Sequence, residues 1–207
     1  MMEWLVFLAI GAAAQIAPAP SADPEMARCE DASTDRDDSA IVSACSGMLE
    51  RGTLHGAETA RVQALRARAY ARLGDYRHAA PDYRAAFRAG ITEPAAANGL
   101  CWSLAVLGES LDEARAACDA RLRVAPEDPE TLDSRGLVGL KQGRFQDAWN
   151  DYDRALRINP RGISWLYGRG IAALRLGRTA EGRRDIEFAK AGYPAIGGMY
   201  LSYGIQP

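Results

Sequence analysis

Carboxylates are many in this 207-residue chain, but its thiols and imidazoles are few. Its four cysteines fall into two local pairs, Cys29 with Cys45 and Cys101 with Cys118. Thiols can hold a metal, act as nucleophiles or close disulfides. A thiolate metal site favours CxxC spacing or nearby histidines. Here there is no CxxC, and His55 and His78 stand apart from the cysteines. His55 sits in the linker "RGTLHGAET", as a loop residue would. His78 opens an amphipathic stretch and is expected to face solvent. No HExxH, GxSxG, phosphate loop or GxGxxG after a strand occurs. The carboxylates of "SLDEA" and "RFQDAWNDYD" follow helix surfaces and cap positions before they form acid–base pairs. The expectation is a non-enzymatic protein with no catalytic residue, metal ligand or cofactor.

The cysteines and the first residues point to the same compartment. Trp4 to Ala14 is an apolar run too short to span a bilayer, which needs about 20 residues. Ala12, Ala13 and Ala14 offer a small-x-small cleavage site, although Glu3 stands where a basic residue is usual. Residues 1–14 read as a signal peptide and 15–24 as a flexible Pro/Ala leader, with an uncleaved anchor as the alternative. The expected location is periplasmic or secreted, without membrane insertion after cleavage. In an exported chain an even cysteine count favours disulfides. Of the three connectivities the local one is expected, with four buried thiols as the alternative. Each bridge would close a loop of about 17 residues and contribute about 3 kcal/mol. A formal net charge of −2 argues against a general nucleic-acid binder. The one like-charge block, "EDASTDRDD", reads as a solvated loop and helix start.

The elements that carry these residues announce themselves by repetition. "YARLGDYRHAAPDYRAAFRAG" and "GLKQGRFQDAWNDYDRALRINP" share one grammar. Gly74, Gly108, Gly143 and Gly177 are separated by 34, 35 and 34 residues. A constant period in this range signals stacked helical hairpins. Small residues recur before each Gly (Ala67, Cys101, Gly136, Gly170) and after it (Ala79, Ala114, Ala148, Gly182). They let two helix backbones approach, and Tyr83, Cys118, Tyr152 and Ile186 fill the groove beside them. Each Gly ends a first helix in a left-handed conformation, and Pro126, Pro160 and Pro194 follow the second helices. "SLDE" at Ser110 reads as a capping box. Pro81 should disturb the start of its helix, and Arg121 stands at a site that is small elsewhere.

This pattern resembles the tetratricopeptide repeat. The units are 60–93, 94–128, 129–162 and 163–196. The resemblance implies an all-α, right-handed α-solenoid whose first helices line a concave groove. Cys101 and Cys118 would then face each other across the second hairpin and staple a poorly packed repeat. The flanks read as caps, 25–59 before the array and 197–207 after it, because a stack must cover its end faces. Asp37–Gly52 has the spacing of a lone second helix, with Ala40, Ala44 and Gly47 on one face. The aromatic tail could instead be a docking segment.

Arg66, Arg135 and Arg169 stand eight residues before their glycines, and Asp82, Asp151 and Asp185 eight after. The second unit lacks both partners, with Leu100 in front and alanines behind. Three bidentate Arg–Asp bridges between paired helices are expected, the alternative being exposed residues copied with the unit. The groove stripe implied by the resemblance is Arg68, Arg72, Asn98, Trp102, Asp133, Leu137, Lys141, Tyr167 and Arg175. It would be basic at one end, aromatic further along, and suited to an extended peptide with an acidic group and an apolar anchor. The family's two-carboxylate clamp of paired Lys and Asn is not reproduced, since Asn98 alone resembles a part of it. The expected function is a protein–protein interaction scaffold of the bacterial cell envelope that binds an extended peptide or protein tail. Alternatives are an adaptor or regulator of a cell-wall enzyme or protease, docking by its convex face or tail, and a self-associating subunit.

Overall fold

The structure, a computed structural model, describes residues 23–207 apart from 32, 34, 92 and 93. The signal peptide and nearly all of the leader expected at 1–24 lie outside the described residues. Among the described residues there are eleven helices and no strand. Four antiparallel hairpins follow one another: α3 (Ala57–Arg72) with α4 (Tyr76–Arg88), α5 (Pro94–Leu107) with α6 (Leu111–Val124), α7 (Pro129–Lys141) with α8 (Phe145–Ile158), and α9 (Ile163–Arg175) with α10 (Thr179–Gly192). Before them come α1 (Pro24–Cys29) and α2 (Asp38–Glu50); after them comes α11 (Ile196–Ser202). Each hairpin packs on the next, so the molecule is an α-solenoid. No helix of the described residues is long and apolar enough to cross a membrane.

The hairpins close where the sequence thins its side chains. Gly74, Gly108, Gly143 and Gly177 all adopt positive φ, between 71° and 79°, which ends the first helix and turns the chain back. A Cβ on Gly170 would come within 2.9 Å of the Gly182 carbonyl oxygen, so these two backbones touch. Tyr152 shows what lies beside such contacts. Its ring fills space that a Cβ on Gly136 or on Gly168 would enter, and so it wedges between α7 and α9. Tyr83 does the same against Gly99 of α5. These rings are buried among alanines, and each joins consecutive repeats into one core.

Arginine ties the helices together at the same level. Arg66 donates through Nε and Nη2 to both oxygens of Asp82, at 2.7 and 2.9 Å. Arg135 does so to Asp151 at 2.8 and 2.6 Å, and Arg169 to Asp185 at 2.8 and 3.1 Å. The remaining Nη1 reaches backwards to the previous second helix. Its acceptors are Ser46 Oγ (3.1 Å), Asp119 (2.7 Å) and Asp153 (2.9 Å) respectively. Each guanidinium therefore spans three helices and two structural units. In the second hairpin Leu100 replaces the arginine, and a Cys101–Cys118 disulfide joins α5 to α6 with a Cα–Cα distance of 5.5 Å. A Cys29–Cys45 disulfide, 5.1 Å between Cα atoms, ties α1 to α2.

Two local expectations are corrected. Ser110 does not cap α6: it adopts a left-handed φ of 46° and makes no side-chain cap bond. The extra residue after Gly108 takes the chain into the helix from a left-handed turn, which directs the hydroxyl away from the first N–H groups. The small residues of α2 do not form its inner face. Ile41, Cys45 and Met48 are buried instead, Ala40 is exposed and Ala44 half-buried. That stripe buries more apolar area against α3, and the disulfide fixes it. Arg121, which stands where the other repeats have alanine, is half-buried and pairs with Asp128 in the following loop, at 2.8 Å.

Candidate functional site

The first helices α3, α5, α7 and α9 form the inner side of the stack, and the chain end returns onto it. After α10 the segment 193–206 runs across α9 and α7 towards α5. Tyr200 is 2 % exposed, donates its hydroxyl to the Ser164 carbonyl at 2.8 Å, and lies 4.9 Å from the Tyr167 ring. Tyr203 meets Trp102 edge-on at 5.6 Å. Ile205 is buried, and Arg175 donates to the Gln206 carbonyl at 3.2 Å. The segment expected as a cap thus also covers part of the inner face.

Between this segment and the repeats lies a cavity of about 420 Å³. Trp102 of α5, Asp133 and Leu137 of α7 and Ile163 of α9 form one wall. Tyr193, Met199, Tyr200 and Tyr203 form the other. Only one carboxyl group enters it. Burial pushes the Asp133 carboxyl up to about 7, against a smaller opposing effect of the Trp165 indole N–H that donates to it and a further small rise from Glu130. Tyr152 and Tyr200, both buried near this carboxyl, have hydroxyls held well above the usual phenol range by burial. No ion pair to Asp133 is present among the described residues, whereas Asp82, Asp151 and Asp185 each hold an arginine. The site therefore has aromatic rings, a half-buried carboxyl and an apolar floor, and no nucleophile–base pair. No group of three metal-ligating side chains stands together among the described residues.

The stripe implied by the resemblance is distributed unevenly. Trp102, Asp133 and Leu137 meet in this cavity. Lys141 and Arg175 line a neighbouring one of about 430 Å³, with Ile205 and Gln206. Neither cation is free there. Lys141 donates to the Val106 carbonyl at 3.0 Å, capping the last turn of α5, and burial lowers its ammonium from the usual lysine range. Arg175 holds Gln206 and lies over the Phe145 ring. Asn98 accepts from Ser134 at 2.7 Å and faces a larger hollow by the 125–130 loop. In that hollow, of about 890 Å³, Arg121 and Asp128 are already bound to each other.

Arg68, Arg72 and Tyr167 depart furthest from an open stripe. Arg72 donates to Asp38 of the cap at 2.7 Å and keeps that carboxyl below its usual range. Arg68 lies with Arg72 near Tyr83, whose hydroxyl burial pushes up to about 12. Tyr167 is 2 % exposed beneath Tyr200 and offers no free ring. Arg72, Lys141 and Arg175 find partners within the fold, whereas Arg68 has a buried Nε with no hydrogen bond. Trp165, Ser164 and the tail's reach to Trp102 escaped sequence reasoning. The aromatics at 102, 165 and 167, all on first helices, were the available signal.

No curated protein sequence matches the chain. Solved structures do match in fold. "MamA RS-1 ArsTM double mutant" superposes with a TM-score of 0.62 at 14 % identity, over 75 % of this chain and 84 % of that one. YrrB, described as a TPR protein with an unusual peptide-binding site, gives 0.61 at 15 % identity, over 76 % and 78 %. A tetratricopeptide repeat protein from Parabacteroides merdae gives 0.62 at 17 % identity, over 81 % and 64 %. At such identities the likeness shows the fold alone. The tetratricopeptide repeat profile matches residues 65–129 and 135–193, more than half of the sequence, and the chain belongs to the tetratricopeptide repeat family.

Proposed function

We propose that the chain is a non-enzymatic scaffold of the bacterial cell envelope that binds an extended peptide or protein tail along its inner face. The observation that carries this reading is the chain's own C-terminal segment. It lies across α9, α7 and α5 with buried aromatic and aliphatic side chains and a side-chain bond to a backbone carbonyl. An extended peptide lying beside this segment would make contacts of the same kind: apolar anchors in pockets between helices and hydrogen bonds around them. YrrB is described as binding peptide on a related fold, which supports a peptide guest here. Cell-envelope residence draws support from the two disulfides, which persist in oxidising compartments. Docking through a free tail draws less support, since Tyr200 and Ile205 are already buried.

A displayed peptide library selected on the full chain tests the proposal. Enriched peptides should lose about tenfold or more in affinity on Trp102→Ala, a magnitude usual for an anchor at the centre of an interface. Enrichment of peptides indifferent to Trp102→Ala, or no enrichment, would contradict it.

A further inference from the structure

We infer that the cavity between α5, α7 and the C-terminal segment is a socket for a positively charged side chain, arginine above all, of the peptide guest. The inference rests on the peptide-binding reading and adds what the guest must present.

The charge balance of the fold carries it. The array handles its inward carboxylates by a rule: Asp82, Asp151 and Asp185 each accept two bonds from one arginine. Asp133 breaks the rule. It sits at the centre of the inner face and holds only the Trp165 indole N–H, with no ion pair among the described residues. A half-buried carboxylate without a cation is costly, and a cation supplied from outside recovers that cost. The walls are suited to such a guest. Trp102, Tyr193, Tyr200 and Tyr203 border the cavity, and aromatic faces attract guanidinium and ammonium groups. Leu137 and Met199 offer apolar surface to the aliphatic stem. At about 420 Å³ the space admits one such side chain and leaves no room for a folded domain.

Binding is therefore tied to the state of Asp133. The titratable groups acting on it are Glu130 from its own helix, Tyr152 from α8, and Tyr200 and Tyr203 from the C-terminal segment. None of these is a cation. With its proton held until about pH 7, Asp133 is charged above that pH and neutral below it. A cationic guest binds the charged form, so its affinity rises with pH through that range and then levels.

The test uses the full chain and two small probes, N-acetylarginine methylamide and its neutral isostere N-acetylcitrulline methylamide. Affinity is read from the indole N–H signals of Trp102 and Trp165 by nuclear magnetic resonance. At about pH 8 the arginine probe should bind roughly tenfold tighter than the citrulline probe, the effect of one charge-assisted contact. The preference should shrink at about pH 6 and vanish in Asp133→Asn, while that variant melts no lower than the parent. Equal affinity of the two probes for the parent chain, or an undiminished preference in Asp133→Asn, overturns the inference. If uncharged selected peptides shift the Trp102 signal while charge makes no difference, the groove reading survives and the charged socket falls. If no peptide shifts it, both fall.

Discussion

In the hairpins α3–α4, α7–α8 and α9–α10 one arginine spans both helices and reaches the helix before them; in α5–α6 a leucine stands in its place and a disulfide joins the pair. The two devices act in different ways. The guanidinium holds orientation in the folded state, by directional bonds to carboxylates that would be unsatisfied without it. The disulfide acts mainly on the unfolded chain, by removing conformations available to it. Only the first reports to a neighbour: Arg135 binds Asp119 of α6, and Arg169 binds Asp153 of α8. The second hairpin is thus held inwardly by covalent chemistry and outwardly by an arginine from the next repeat. On its other side Arg84 of α4 donates to both oxygens of Glu113 at 2.8 and 2.7 Å. A repeat without its own arginine is still gripped on both sides.

That contrast can be broken at several strengths. The largest effect is expected from Arg135→Ala, which strands two carboxylates, one of them buried. The cost should be about 3–4 kcal/mol, read by denaturant unfolding, in the range for breaking a buried pair. Asp151→Ala in the same background should show coupling of at least about 1 kcal/mol in a double-mutant cycle, and none if the pair is only a surface contact. Replacing Cys101 and Cys118 together by Ala should cost about 3 kcal/mol and lower Tm by roughly 6–12 °C. Reduction of the parent chain should reproduce that loss and add the contribution of Cys29–Cys45, whereas the arginine variants keep their disulfides. Gly168→Ala places a Cβ 2.4 Å from the Tyr152 ring, and should cost about 1–3 kcal/mol through overpacking.

A dependence on pH sharpens the comparison between paired and unpaired carboxylates. Asp133 holds its proton to about pH 7 in the fold, against 3.8 for an ordinary aspartate, so the folded state binds more protons than the unfolded state between those values. Its contribution to stability is complete below pH 4 or so and is lost as pH rises to about 7. Relative to Asp133→Asn, the parent should therefore lose stability over that window, by up to about 1.4 kcal/mol per pH unit. Equal pH profiles for the two proteins would show that the carboxyl is not held as described.

The period and the small residues were enough to read four hairpins, because a close helix contact and a left-handed turn leave narrow choices of residue. The arginine–aspartate pairs were legible for the same reason: positions equally far from a turn come to the same height. Their second acceptors, Asp119 and Asp153, lie 16 residues before Arg135 and Arg169 and belong to the preceding repeat. A reading confined to one unit does not reach them. The site was less legible. Trp102 and Asp133 could be placed on the inner side by register, but Tyr203 meets Trp102 across a hundred residues with no periodic signal. Arg72, Lys141 and Arg175 look alike on a helical projection as free cations. Their partners, Asp38, the Val106 carbonyl and the Gln206 carbonyl, come from other repeats or from the flanks.

Hydrogen–deuterium exchange of the full chain, with and without a library-selected peptide, tests the central claim most directly. The account predicts that added protection falls on α5, α7, α9 and residues 196–206, the two walls of the inner face. Protection confined to α6, α8 and α10, or none with a peptide that binds, would contradict it.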